Sequence, residues 1–276
     1  MAFDPKIQLA NIAVVAGETA RIEQALQGWS EARWQLPTYC PGWRAADAVA
    51  HLATGGDFYA QVIAAGRQGA PLLPWGASDG AGMRAARAAA SQKLMDGGPT
   101  ALLAGLQQSA AKLQEVLALL QEADRSKVAW HPRGLVPIGS WVGMRLTELV
   151  VHDWDIRQPH EDPARLAPTA LAAMLTTLPE MHTRFLTQRL AGDLDGVHVL
   201  RGGDAAWAFR IQGKTVTYLA SAPTIYDTCL STDAESLILL SMGRADAAAK
   251  RRNGALTISG EATKTQLFCE TLFRTV

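Results

Sequence analysis

Apolar residues recur at helical spacing through the first two-thirds of the chain and switch to strand-like alternation after about residue 195. Ile12, Val15, Ile22 and Leu26 mark one face of a first helix. Asp4-Pro5 predicts its opening, an N-cap acid before a proline at the first helical position, and Gly28 predicts its end. The segment from Leu36 to Gly42 holds two prolines and a glycine and is expected to be a loop. A second helix is predicted from about Arg44, with Val49, Leu52, Val62 and Ile63 inward, before Pro71, Pro74 and Gly76 interrupt. Two further helical stretches flank Asp96-Gly97-Gly98-Pro99, and the second carries an apolar face of Leu102, Leu106, Leu113, Val116, Leu117 and Leu120. After a turn-rich loop at His131–Gly134, Ser140 is the expected N-cap of a helix reaching about Arg157. Another helix, kinked or broken at Pro179, is expected over about Pro168 to Leu190.

Beyond residue 195, Val197–Leu200, Trp207–Ile211 and Thr215–Leu219 read as strands, the last two joined like a hairpin at Gln212-Gly213-Lys214. Thr232-Asp233-Ala234-Glu235 has the form of a capping box opening a helix at Ser236–Met242, which Gly243 ends. Ala255–Ser259 reads as a short strand and Glu261–Phe273 as a closing helix with Leu267, Phe268 and Leu272 inward. The expected fold class is α plus α+β: a helical bundle over residues 1–194 and a small α+β domain over 195–276.

Composition narrows the function classes. The 276 residues are 48% hydrophobic and 19% charged, with 26 Lys+Arg balancing 26 Asp+Glu. A neutral chain without a basic stripe argues against a nucleic-acid binder. No apolar run approaches the roughly 18–20 residues of a membrane span. MAFDPKIQLA lacks the charged and apolar regions of a secretion signal, and Cys40, Cys229 and Cys269 are scattered, which suits a reducing compartment. A soluble cytoplasmic protein is expected.

Chemistry concentrates on the helix after Ser140. Trp141, Arg145, Glu148, His152 and Asp155 follow at spacings of 4, 3, 4 and 3, which places them on one stripe; Val142, Leu146, Leu149 and Val150 hold the other side. A Glu-x-x-x-His pair is commonly a solvated surface pair worth a few tenths of a kcal/mol. Turned into a bundle core, the same carboxylate would need compensation, and a divalent cation is one source of it. His51 on the second helix, taken alone, reads more readily as a satisfied core or surface residue than as a ligand.

Together, Leu36–Trp43 with its Cys40-Pro-Gly-Trp43 run, Val49-Ala-His51-Leu52, and Arg145–Asp155 resemble the mycothiol-dependent maleylpyruvate isomerase-like family, within the DinB-like superfamily of metal-binding four-helix bundles. The resemblance covers the helical part. It implies a divalent metal, most often zinc, on His51, Glu148 and His152, with a coordination position left open as in a catalytic site. It also implies a low-molecular-weight thiol, mycothiol or an equivalent, as cosubstrate, so that no protein cysteine is needed. Cys40 beside the motif reads as a small buried apolar residue.

Trp207–Lys214 and Leu239–Arg244 are similar to a sterol-carrier-protein-like domain. The same resemblance gives Arg244 a substrate carboxylate to bind in a planar fork. A solvated helix-end arginine reads as well from the residues alone. Arg145 is a second candidate for a substrate carboxylate. Trp130 and His131 are candidates for a pocket mouth; His160, His182 and His198 read as surface or packing residues, and Lys250–Arg252 as a solvated face.

The function expected is a metal-dependent thiol S-transferase or cis–trans isomerase acting on a small electrophile, without nucleic-acid or membrane partners. An apolar-ligand carrier and a metal-dependent hydrolase using activated water stay open as alternatives.

Overall fold

The computed structural model describes residues 9–190 and 193–273. Its contacts divide the chain into two compact units, Pro5–Leu166 and Ala167–Val276. The expected helix opening at Asp4-Pro5 lies outside the described residues.

In the first unit, α1 (Ile12–Gln27), α3 (Ala45–Arg67), α5 (Gly98–Ala118) and α6 (Ile138–Arg157) pack as a four-helix bundle. The short α2 (Glu31–Trp34) follows α1, and α4 (Gly80–Asp96) packs on α3 and α5. Helix α3 is buried along most of its length, from Ala45 to Gly66. Its small residues permit this: a Cβ on Gly56 would lie 2.7 Å from the Ser109 hydroxyl of α5. Interior glycines that weaken a helix by propensity here allow two backbones to approach.

Two local expectations change. Helix α6 begins at Ile138 behind Pro137, so Ser140 lies inside the first turn rather than capping it. The turn-rich loop is the turn of a small hairpin, β1 (Val128–His131) against β2 (Gly134–Pro137). The hairpin delivers the Val136 carbonyl to the Trp141 indole N–H, at 3.2 Å. This contact ties the start of α6 to β2.

The second unit opens with α7 (Pro168–Arg189) and continues with β3 (Gly196–Gly202), β4 (Ala205–Gln212), β5 (Thr215–Leu219) and β6 (Thr228–Thr232). Then come α8 (Ala234–Ser241), α9 (Ala247–Arg252), β7 (Leu256–Gly260) and α10 (Ala262–Leu272). The sheet order is β5-β4-β3-β6-β7, with β3 and β6 parallel and the other pairs antiparallel. The hairpin pairs Gln212 with Thr215 across Gly213-Lys214, and Gly213 takes φ +57°, which favours glycine.

Helix α7 runs through Pro179 without a break, and Met174, Leu178, Met181, Phe185 and Leu186 are buried. It packs on β4, β5, α8 and α10, and its contacts group it with the second unit. Sequence periodicity shows an apolar face but not the partner that covers it. The cap of α8 is Asp233, whose carboxylate accepts from the Ser236 N–H at 2.8 Å, while Thr232 ends β6. Strand β6 and helix α9 are additions to the expected pattern, and Lys250–Arg252 form the last turn of α9. Phe268 and Leu272 are buried as expected, with Leu267 half-buried.

Candidate metal centre

Three segments of the first unit meet at one place: α3, α6, and the loop before α3. The loop is fixed by its backbone. Thr38 N–H donates to the Trp43 carbonyl (2.9 Å), Ala45 N–H to Leu36 (2.9 Å), and Tyr39 N–H to the Asp155 carbonyl of α6 (2.8 Å). The Asp47 carboxylate accepts from the Arg44 N–H at 2.9 Å where α3 begins.

His51 of α3 places Nε2 2.8 Å from Glu148 Oε2. His152, one turn beyond Glu148, places its own Nε2 3.7 Å from the same oxygen. The ligand atoms of His51, Glu148 and His152 all lie within 4.8 Å of one another. Three donors about 2.1 Å from a tetrahedral ion sit roughly 3.4 Å apart, so this donor set fits a zinc-like cation. The side chains keep 25%, 37% and 12% exposure respectively, which leaves the cluster open on one side.

The surroundings orient the imidazoles. Asp155 is fully buried, and its Oδ2 accepts from His152 Nδ1 at 2.9 Å, which leaves Nε2 facing Glu148. A carboxylate behind a metal-facing histidine fixes its tautomer and ring plane. The Cys40 thiol donates to the same Oδ2 at 3.1 Å. This corrects the expectation of Cys40 as an apolar filler: it meets a carboxylate 115 residues away. Trp43 stacks on the His152 ring at 5.7 Å and tilts over His51 at 5.1 Å. Cys40, His152 and Asp155 also lie within 4.8 Å of one another. Asp155 already serves both other members of that group, which suits a supporting role better than ligation.

Electrostatics keep the cluster ready for a cation. Burial alone would raise the Glu148 carboxyl, but the His51 hydrogen bond and the His51, His152 and Arg145 charges outweigh it and hold it at about 2. Burial lowers the His51 pKa below its ordinary value against the opposing pull of Glu148. Both shifts favour the ligating forms, an ionised carboxylate and a neutral imidazole.

Arg145 lies one turn before Glu148, 1% exposed, with Nε, Nη1 and Nη2 lacking hydrogen-bond partners among the described residues. It stands behind the donor set. Arg244 belongs to the second unit, half-buried just after α8, where its Nη1 donates to the Met242 carbonyl at 2.9 Å. Trp130 packs edge-on to Phe58 and His131 edge-on to Trp141, as parts of the aromatic packing around α6. His160 sits 2.9 Å from the Pro37 carbonyl; His182 and His198 are fully buried in the second unit, and burial pushes His182 down to about 3. Arg87 of α4 is a new member of the surroundings, its Nη2 3.3 Å from His51 Nδ1. Nothing in the polar, Ala-rich pattern of α4 marked it.

A four-helix bundle with a His–Glu–His cluster on facing helices is an arrangement on which a metal site can be built. The family described as "Mycothiol maleylpyruvate isomerase N-terminal domain" matches residues 15–157, just over half of the chain and the whole of the cluster. The chain belongs to this family. Among solved structures it is similar to the mycothiol-dependent maleylpyruvate isomerase, with 18% identity, a TM-score of 0.60 and 95% of each chain covered. A histidine-to-alanine mutant of that enzyme superposes at a TM-score of 0.59, again with 18% identity and 95% of each chain covered. At this identity the likeness describes the fold, including the helical region followed by a mixed sheet. No curated protein matches the sequence. No described helix is long and apolar enough to cross a membrane.

Proposed function

We propose that the protein is a metal-dependent enzyme that uses a small thiol to isomerise or conjugate an electrophilic substrate. The observation that carries this is the convergence of His51, Glu148 and His152 on an open face within the family-matched segment. His51, Glu148 and His152 would hold a divalent ion, zinc by the family resemblance. Such an ion would supply Lewis acidity that lowers the pKa of a thiol bound beside these residues. Asp155 holds His152 in the ligating tautomer, and Trp43 limits both imidazole rings. Mycothiol or an equivalent thiol supplies the sulfur. In an isomerisation, sulfur adds to a cis double bond conjugated to a carbonyl, the resulting single bond rotates, and loss of the thiol restores the double bond as trans. In a transfer, the adduct is the product. Arg145 and Arg244 are the residues we assign to substrate carboxylates, through their planar forks.

The test is elemental analysis of the purified chain followed by thiol-dependent turnover across several small thiols. Stoichiometric metal with thiol-dependent turnover is expected; metal with thiol-independent hydrolysis would overturn the assignment. A second observation keeps a carrier reading for the C-terminal unit, which we assign as sterol-carrier-like. A cavity of about 400 Å³ there is lined by Ala247, Ile258, Ala262 and Cys269, with Arg251 and Glu270. Tight binding of a fluorescent fatty acid, with no turnover, would favour that reading.

Two further outcomes follow from the site. Replacing Cys40, Cys229 and Cys269 together by serine is expected to keep most turnover, because serine at position 40 still donates to Asp155 and the nucleophile comes from the cosubstrate. Burial pushes the Cys269 thiol up to about 11, away from reactivity. Asp155→Asn, by contrast, is expected to weaken metal affinity by about 10–100-fold in a competition titration. Unchanged affinity would remove Asp155 from the site.

Metal should leave on acidification as His51 protonates, a step that burial moves below the ordinary histidine range. Glu148 stays ionised down to about 2, so it does not set that midpoint. Because the His51 pKa is lowered in the fold, protonation opposes both ligation and the folded state as pH falls below its unfolded value. Full retention of metal in strong acid, where His51 is protonated, would argue against histidine ligation.

A further inference from the structure

Two guanidinium groups stand beside the candidate metal centre, both in the field of the Glu148 carboxylate but neither hydrogen-bonded to it. Around α6 the acids are already taken: Asp153 pairs with Arg21 and Arg157, both at 2.7 Å, and Glu18 with Arg21 at 2.8 Å. Glu148 spends its hydrogen bond on His51. Neither Arg87 nor Arg145 forms an ion pair among the described residues. Arg87 has only long contacts to neutral groups: the Thr54 hydroxyl (3.4 Å), His51 Nδ1 (3.3 Å) and the His51 carbonyl (3.4 Å). Arg145 is buried with all three guanidinium nitrogens unpartnered, and its Cζ lies 5.8 Å from the centre of the Tyr59 ring.

The two side chains converge on one point. A Cβ built on Gly55 of α3 would lie 3.1 Å from Arg145 Nη1 and 3.7 Å from Arg87 Nη2. Glycine at this position lets both guanidinium groups pack close against α3, side by side. Two like charges side by side, one buried and one partly exposed, disfavour each other; Glu148 offsets part of this, and an anion between them would offset more. A carboxylate has the required shape, two coplanar oxygens that can accept from two guanidinium groups.

We propose that Arg87 and Arg145 form a clamp for one carboxylate of a small substrate, seated at Gly55 and adjacent to His51. Arg87 is the specificity-determining member, because it is half-exposed and joins the buried Arg145 to the open face of the cluster. The catalytic meaning of the clamp rests on the function proposed above; its binding does not.

The test is calorimetric titration of the full chain with maleate, a small dicarboxylate, and with its dimethyl ester. Maleate is expected to bind and the ester not to. Arg87→Gln should weaken maleate by roughly tenfold or more, with Arg87→Lys recovering only part, since lysine keeps the charge but not the fork. Gly55→Ala should weaken it as well. Because Arg145 variants risk the fold, the half-exposed Arg87 carries the decision. Binding should survive in His152→Ala, which lacks a metal-ligand candidate. Equal affinity in wild type and Arg87→Gln would overturn the clamp. So would loss of binding in His152→Ala, which would put the anion on the metal. Absence of thiol-dependent turnover alongside Arg87-dependent maleate binding would sink the thiol chemistry and leave the clamp standing.

Discussion

His152→Ala is expected to leave purification without bound metal and to lose turnover by roughly three orders of magnitude, the scale of removing the group that generates a nucleophile. The reason lies in how few donors the cluster has. His51 and Glu148 approach to 2.8 Å, and His152 is the third donor, 3.7 Å from the shared carboxylate oxygen. Two remaining donors with an ionised Glu148 form a weak, water-filled site rather than a tetrahedral one. Asp155 would meanwhile lose its histidine partner and keep the Cys40 thiol. The fold should survive, since α6 is anchored by Trp141, Leu146, Leu149 and Trp154, all buried. The check pairs elemental analysis with circular dichroism: a folded variant that retains full metal would remove this cluster from the chemistry. His51→Ala should give the same result from a different helix, which separates loss of a ligand from damage to α6.

Arg244→Lys is expected to lower kcat/KM by about 2–4 kcal/mol, roughly thirtyfold to several hundredfold, with metal content unchanged. The backbone there is well fixed. Helix α8 ends at Ser241, Gly243 takes φ +70°, and Arg244 N–H donates back to the Leu239 carbonyl at 2.7 Å. The side chain starts from a fixed backbone, and its Nη1 already donates to the Met242 carbonyl, so a substrate carboxylate would share or replace that bond. Lysine keeps the charge and loses the two-donor geometry. Steady-state kinetics with thiol held saturating is the measurement. Unchanged kinetics would mean that Arg244 is a helix-end charge without a part in the reaction, and the carrier reading of the second unit would gain.

Much of the bundle was legible in the sequence because burial imposes a period. A helix half-covered by neighbours repeats its apolar residues every three or four positions, and α1 and α5 do so, while α3 and α6 are buried round most of their surface. The same period put Glu148 and His152 on one stripe. Asp155 was on that stripe too, but its role depends on what lies opposite. The capping of α8 was misplaced by one residue because Thr232 and Asp233 are both good caps. Only the pairing of β6 with β3 and β7 decides that Thr232 ends a strand.

Beyond what the family resemblance adds at His51, the sequence by itself determined the type and order of most elements and the one-face spacing of Glu148 and His152. Local spacing and residue chemistry contain that information. Tertiary structure decided the rest, because it depends on contacts between residues far apart in the chain. Packing on the sheet assigned α7 to the second unit. The loop before α3 brought the Cys40 thiol to Asp155 across 115 positions. The packing of α4 on α3 set Arg87 beside His51 and, at Gly55, beside Arg145, a juxtaposition that no periodicity along one helix can encode.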